Sequence, residues 1–221
     1  MKPNNDRYDS DNSRFTEPPN LKKHLVEIYD KYARERDTTE KPEWKAKERN
    51  EFLVYLKQEK KTTLLEIGAG TGQDSLFFSE QGFEVTAADI SPAMVEICRE
   101  KGLATVQMDF YDLGKMPRHF DAIFALNCLV HVPKKDIKLV LETISERLNE
   151  AGLFYLGMWG GTDFEGILTD DRYEPKRFFA FYRLKSILDI AQKYYMLEYL
   201  RCLRHWGPNQ EFHSMILRKM K

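Results

Sequence analysis

Cysteine is scarce in this chain, and what there is stands apart. Cys98, Cys128 and Cys202 show neither the paired spacing of a zinc site nor a disulfide framework, so they read as reduced, buried thiols and no metal is called for. Long apolar runs are lacking too. Nothing approaches the roughly 20 residues that a membrane span needs, and Asn5, Asp6, Asp9 and Ser10 stand where a secretory leader would carry its apolar stretch. A cytoplasmic protein with no membrane partner is expected. Nor is there an excess of charge: 34 Lys and Arg face 35 Asp and Glu, without the basic surplus typical of proteins that grip nucleic acid through its phosphates. Local basic clusters at residues 57–61 and 218–221 read as solvated ends.

What is present describes one ordinary globular domain. The 221 residues, 42% hydrophobic and 31% charged, suffice for a single well-buried core and are short for two. Residues 1–20 are rich in Asn, Asp, Ser and Pro and too poor in apolar side chains to offset chain entropy, which predicts a mobile extension. The domain then runs over residues 21–221. Leu21, Leu25, Ile28, Tyr29 and Tyr32 fall on one face at helical spacing, and a second helix is expected over residues 44–56. These helices, within residues 21–60, precede the core at 61–221.

From there the periodicity changes. Residues 62–67, 84–88, 104–107, 122–126 and 153–158 read as short buried strands with helices between most of them. Ser91 and Pro92 supply an N-cap and a first-turn proline for one helix, and Ile137, Val140, Leu141, Ile144 and Leu148 mark another, with Gly152 just past its end. That alternation predicts a doubly wound α/β fold with a mostly parallel sheet and right-handed crossovers. Beyond the fifth strand a long loop leads to a helix carrying Leu184, Ile187, Leu188 and Ala191. Residues 197–203 and 212–217 then form an antiparallel terminal hairpin.

The most informative stretch is Leu64, Leu65, Glu66, Ile67, Gly68, Ala69, Gly70, Thr71 and Gly72, a strand running into a glycine-rich turn and then a helix. In an open α/β sheet ligands bind at the carboxyl edge, where glycine lets a ligand approach the backbone. Asp89 closes the next strand about 20 residues on, the distance at which a carboxylate accepts hydrogen bonds from ribose hydroxyls. Glycines alone do not separate nucleotide classes. Gln73, however, stands where a dinucleotide fold wants a third small residue, and Glu66 before the turn would repel a pyrophosphate and suits a cationic ligand.

Over these residues the chain resembles the class I S-adenosylmethionine-dependent methyltransferases, a resemblance that extends from about Leu21 to the end. It implies a seven-stranded Rossmann-like sheet with its last strand antiparallel and the N-terminal helices over the site. It implies S-adenosylmethionine as cofactor and S-adenosylhomocysteine as product. Glu66, Gly68, Gly70 and Gly72 would border the methionine part, Asp89 would hold the ribose, and Ile90 and Met94 would lie against the adenine. Asp109 and Phe110 match the pair that reads the adenine, and Asn127, Cys128, Leu129 and His131 line the methionine end and the acceptor mouth.

Methyl transfer from a sulfonium is an in-line displacement with a donor already activated, so alignment and water exclusion are the main requirements. His131 and Tyr182 are the candidate bases should an O, N or S nucleophile arrive protonated. The acceptor pocket is expected over the carboxyl edge, from Tyr29 and Tyr32 before the first strand and Trp159, Arg177, Phe178, Phe179 and Tyr182 after the fifth, with His131 between them. A small-molecule acceptor and a monomer or homodimer are expected. Two other readings stand beside this one: a methyltransferase of the tRNA wobble-uridine type, disfavoured by the near-neutral charge, and a non-catalytic cofactor-binding partner protein.

Overall fold

The computed structural model describes residues 20–204 and 210–220. The predicted mobile extension lies outside them except for Asn20, whose side chain accepts the Lys23 N–H and caps α1 (Leu21–Lys31). A short α2 (Ala33–Asp37) intervenes before α3 (Glu43–Gln58), so three helices precede the core where two are predicted.

β1 (Thr63–Ile67) is followed by α4 (Gln73–Glu80), β2 (Glu84–Asp89), α5 (Pro92–Glu100), β3 (Ala104–Gln107) and β4 (Phe120–Leu126). These four strands pair in parallel. α6 (Ile137–Arg147) then carries the chain to β5 (Leu148–Gly160), parallel to β4. β6 (Phe164–Ile167) and β7 (Phe178–Phe181) form a separate antiparallel pair, and α7 (Leu184–Ala191) leads into the hairpin of β8 (Tyr195–Arg204) and β9 (Glu211–Lys219). The seven-stranded sheet has the order β3-β2-β1-β4-β5-β9-β8, with β9 antiparallel to both neighbours. Order reverses between β1 and β4, the switch point of a doubly wound sheet.

Alternation along each strand divides the core between the two faces. Leu64, Phe124 and Tyr155 pack with Phe52 of α3 and Phe78 of α4, while Leu65, Ile123 and Phe154 pack with Ile144 of α6 and Ile187 of α7. Both sets are essentially sealed from solvent. Phe124 stacks on Tyr155 with ring centroids 4.6 Å apart, so neighbouring strands of the switch region also lock through their aromatic faces.

Four details differ from the sequence reading. The segment after the fifth strand is not all loop: Phe178–Phe181 is buried at all four residues and lacks the alternation that marks a half-exposed strand. α6 ends at Arg147, and Leu148 and Gly152 belong to β5. Cys202 is exposed, whereas Cys98 and Cys128 are buried. Arg218 is no solvated end, because its guanidinium binds Glu59 after α3 and Glu198 on β8, tying the last strand to both.

At the edge opposite the cavity, Asp121 pins β4 to the start of β1. Its carboxylate accepts the N–H of Thr62 (3.0 Å) and Thr63 (3.1 Å), the Thr62 hydroxyl and the Asn149 side-chain amide. Those donors hold its pKa well below the usual carboxylate range, against the opposing effect of burial. A depressed folded-state pKa gives stability that is present above the unfolded value of about 4 and lost as pH falls below it. Asp121→Ala is expected to cost about 1–2 kcal/mol at pH 7, after allowance for solvent screening at this partly exposed position. The cost should shrink on acidification below about pH 4, as followed by urea denaturation at pH 7 and pH 3.

Candidate active site

The carboxyl ends of β1, β2 and β4 open into a cavity of about 900 Å³ that reaches under α1 and the segment between β6 and β7. This volume lies near the top of the roughly 300–1,000 Å³ range of small-molecule sites, enough for two ligands side by side. Its floor is the glycine turn. A Cβ on Gly68 would sit 2.3 Å from the Cys128 Cβ, and one on Gly72 would sit 2.7 Å from Leu103 and 2.8 Å from the Cys98 sulfur, so both are fixed by packing. Gly70, at φ +57, has nothing within 4 Å of such a Cβ and presents open backbone to the cavity.

Asp89 holds that turn in place. One carboxylate oxygen accepts the Gly70 N–H at 2.7 Å and the other accepts the Ser91 N–H at 2.9 Å. Burial outweighs these bonds and pushes its pKa up to about 6. Glu66 lies deeper, 3% exposed, and accepts the Ser75 hydroxyl at 2.5 Å. Burial, and secondarily the neighbouring Asp74, push its carboxyl up to about 8. Asp74 is held in turn by Lys41 (2.8 Å) and Arg49 (3.1 Å).

Next along the wall are Ile90, Asp109 and Phe110. Asp109 accepts the N–H groups of Tyr111 and Asp112 and pairs with Lys22 at 2.5 Å, so one carboxylate caps the turn after β3 and anchors α1. Beyond β4, Asn127 takes a φ of 58 and donates its N–H to Gly157 at 2.7 Å, while its Oδ1 is buried without a hydrogen-bond partner among the described residues. The Cys128 thiol donates to the Ile67 carbonyl at 3.1 Å, and burial pushes its pKa up.

At the far end Tyr29, His131 and Arg177 form a single network. His131 Nδ1 lies 2.7 Å from the Phe178 carbonyl, which can only accept, so Nδ1 carries the proton and Nε2 is bare. Nε2 therefore accepts from the Tyr29 hydroxyl at 2.6 Å, and Arg177 donates to the same phenolic oxygen at 3.1 Å. Arg177 is fixed by a bidentate pair with Asp171 at 2.8 and 2.6 Å. Burial first, and then the Arg177 charge, push His131 down to about 3, so it is neutral at physiological pH.

The cavity thus gathers Glu66, Gly68, Gly70, Asp89, Ile90, Asp109, Phe110, Asn127, Cys128, His131, Tyr29, Trp159, Arg177 and Phe179 of the candidates. It does not gather six others, of which Leu129 is buried in the core. Gly72 packs beneath the turn, and Met94 is fully buried against Ala33 and Ile97. Tyr32 stacks on Tyr173 at 4.4 Å and hydrogen-bonds the Glu174 backbone. Phe178 is core and offers only its carbonyl. Tyr182 is 3% exposed, its hydroxyl has no partner among the described residues, and burial pushes its pKa up, none of which suits a base. Arg36, Lys41, Lys45, Asp74 and Arg172 also line the cavity, and no sequence motif marks them. Charges scattered along a polar helical stretch read as solvated, and only the fold turns these inward. Elsewhere, Cys202, Glu211 and His213 bring one donor atom each within 4.8 Å of one another on the β8–β9 hairpin, a grouping the cysteine spacing does not reveal.

Comparison with known proteins agrees with this architecture. Residues 64–152 match the model of a family described as a methyltransferase domain. The ubiquinone biosynthesis O-methyltransferase of Xylella fastidiosa is 30% identical over 100 residues, 42% of this chain and 40% of that protein. The glycine/sarcosine N-methyltransferase of Halorhodospira halochloris is 31% identical over 138 residues, 57% of this chain and 50% of that protein. The alignments thus span half or less of the curated relatives' length. The crystal structure of Burkholderia thailandensis 1,6-didemethyltoxoflavin-N1-methyltransferase superimposes with a TM-score of 0.71 at 16% identity, covering 95% of this chain and 93% of that one, so the fold is shared across almost the whole domain. Residues 64–152, which carry the glycine turn and four of the parallel strands, thus match a methyltransferase domain, and the strand order is that of the fold shared with the Burkholderia enzyme.

Proposed function

We propose that this protein transfers the methyl group of S-adenosylmethionine to an O, N or S nucleophile of a small molecule by in-line displacement. One observation carries the reading: a single cavity runs from the Gly70 and Asp89 turn to the Tyr29 and His131 pair. Its residues suit the cofactor. Asp89 retains acceptor capacity beyond its two backbone bonds for ribose hydroxyls, Ile90 and Phe110 offer apolar faces to a base, and the orphaned Asn127 Oδ1 suits the ammonium of a methionine group. When bound, the cofactor supplies a methyl group already activated on a sulfonium.

The remaining work falls to the chain. Phe179 and Phe181 exclude water, and Tyr29 turns a phenolic oxygen toward the acceptor. His131 Nε2 takes the Tyr29 proton in a hydrogen bond and so orients that oxygen's lone pairs, while Asp171 holds Arg177 against it. Held far below its usual pKa, His131 acts here by orientation. Relatives of the chain are named as a ubiquinone biosynthesis O-methyltransferase and a glycine/sarcosine N-methyltransferase, consistent with a small acceptor. Incubation with methyl-labelled cofactor and a fractionated small-molecule extract, with the labelled product identified by mass, tests the reading directly.

S-adenosylhomocysteine is expected to bind at micromolar strength and NAD not to bind. Because Asp89 titrates near 6 in the free protein and its ionised form is the better acceptor, S-adenosylhomocysteine affinity should rise about three- to tenfold from pH 5 to pH 7. Asp89→Asn should weaken binding by about 2–4 kcal/mol and flatten that rise. Calorimetry at both pH values is decisive, and tighter binding of NAD would sink the cofactor assignment.

Tyr29→Phe is expected to leave the melting temperature and cofactor affinity near those of the parent and to lower turnover, by up to about a hundredfold. The parent rate should show no loss near pH 6.5 from His131, since its protonation lies near 3. A histidine-like limb abolished by His131→Gln would instead make His131 a titrating base.

A further inference from the structure

Three cations that line the cavity, Arg36, Lys45 and Arg172, have no ion-pair partner among the described residues. Arg36 and Arg172 both donate to the hydroxyl of Tyr173, Arg36 at 3.1 Å, so two guanidinium groups converge on one neutral oxygen. The Arg36 Nε is buried with no partner among the described residues. Lys45 adds a third cation, half-buried above the Trp44 ring at 5.4 Å. Burial, followed by the charges of Lys41, Arg36 and Arg172, pushes the Lys45 amine down to about 8, with Asp74 alone opposing.

Three of the carboxylates that line the cavity are held by other cations. Asp171 is taken by Arg177, Asp74 by Lys41 and Arg49, and Asp109 by Lys22. Among the described residues none forms an ion pair with Arg36, Lys45 or Arg172. Like charges held together in a partly desolvated wall raise the energy of the empty site, and an anion placed among them relieves it. The cofactor's one carboxylate would leave part of that positive charge unmatched.

We propose that Arg36, Lys45 and Arg172 form an anion subsite for the methyl acceptor, so that the acceptor is a small organic acid bound by its carboxylate with its nucleophile directed to Tyr29 and His131. This rests on the methyltransferase reading for its chemistry, while the subsite itself does not depend on it. An acid held at one end and walled by Trp159 and Phe179 along its length would be fixed in both position and direction, which is what an in-line displacement requires. Arg36 lies 5.3 Å from the centre of the Tyr29 ring, so the anion subsite and the Tyr29 hydroxyl are neighbours.

The test uses benzoate and its neutral counterpart benzamide, titrated by calorimetry into the full-length protein with and without saturating S-adenosylhomocysteine. Benzoate is expected to bind at least about tenfold more tightly than benzamide, and Lys45→Met and Arg172→Met should each weaken benzoate about tenfold or more while changing S-adenosylhomocysteine affinity by less than about twofold. If the variants lose S-adenosylhomocysteine and keep benzoate, the cluster reads the cofactor's own carboxylate and the proposal is overturned. Equal binding of benzoate and benzamide, or benzoate binding unchanged in both variants, overturns it as well. Failure of the parent protein to bind S-adenosylhomocysteine would remove the methyltransferase reading, yet the cofactor-free titration would still decide whether the anion subsite exists.

Discussion

The carboxylate of Asp89 is the constraint on which the carboxyl edge of this molecule depends. It sits at the end of β2 and takes the Gly70 N–H on one oxygen and the Ser91 N–H on the other. Those two bonds fix the glycine turn after β1 relative to the start of α5. Gly68 then meets Cys128 at a distance no side chain would allow, and the Cys128 thiol returns a hydrogen bond to Ile67, so the turn after β4 is set by the turn after β1. With both turns held apart from α1, the switch point between β1 and β4 remains a cavity.

Holding it open has an electrostatic cost that the two edges of the sheet do not share. At the edge away from the cavity Asp121 is surrounded by donors and its charge is favoured. At the cavity edge Glu66 and Asp89 are pushed up and His131 is pushed down, in each case first by burial. Groups held away from their ordinary values in a cleft mark the place where a ligand supplies what the protein withholds. Ribose hydroxyls at Asp89, an ammonium at Asn127 and an acid among Arg36, Lys45 and Arg172 would each supply a missing partner. The empty site is thus costly in the same places where the filled one would be satisfied.

Much of this was legible in the residues and some of it could not be. β1, its glycine turn and Asp89 were readable because glycines at close spacing after an apolar run have few structural uses, and the Ser91 and Pro92 pair marks a helix start through backbone geometry alone. The terminal hairpin followed from two apolar runs. Its insertion beside β5 depends on long-range pairing that no local pattern encodes. The pocket walls come from segments distant along the chain, and there composition misleads. Phe178, Phe179, Phe181 and Tyr182 look equivalent, yet alternation on β7 and its exit turn Phe179 and Phe181 toward the cavity and Phe178 and Tyr182 away from it. Arg36 and Lys45 carry no such local signal, since only the return of α2 and α3 over the sheet brings these charges inward. Buried Glu48 was equally invisible, because its partners Tyr199 and Arg201 lie about 150 residues further on.

Both ends of the cavity are governed by one helix. On one side Asp30 of α1 accepts the Ser91 hydroxyl at 2.5 Å and the Ala93 N–H at 3.1 Å, and Ser91 is the residue that donates to Asp89. On the other side its neighbour Tyr29 reaches His131, His24 meets the Lys176 carbonyl at 2.7 Å, and Lys31 donates to Glu174 at 2.9 Å. Leu25 and Ile28 of α1 are buried and Leu21 and Tyr29 pack beside them, so apolar burial and the polar contacts at its two flanks share its attachment. Net contributions of about 0.5–1.5 kcal/mol per such bond make the attachment sum over many weak terms instead of resting on one strong one. The proton on Tyr29 and the carboxylate that grips the turn are therefore separated by Asp30 and Ser91, a path of backbone and short side chains with little slack. That short path would keep the glycine turn and the Tyr29 hydroxyl at a fixed spacing, as a displacement along a single line would require of a cofactor and an acceptor bound there.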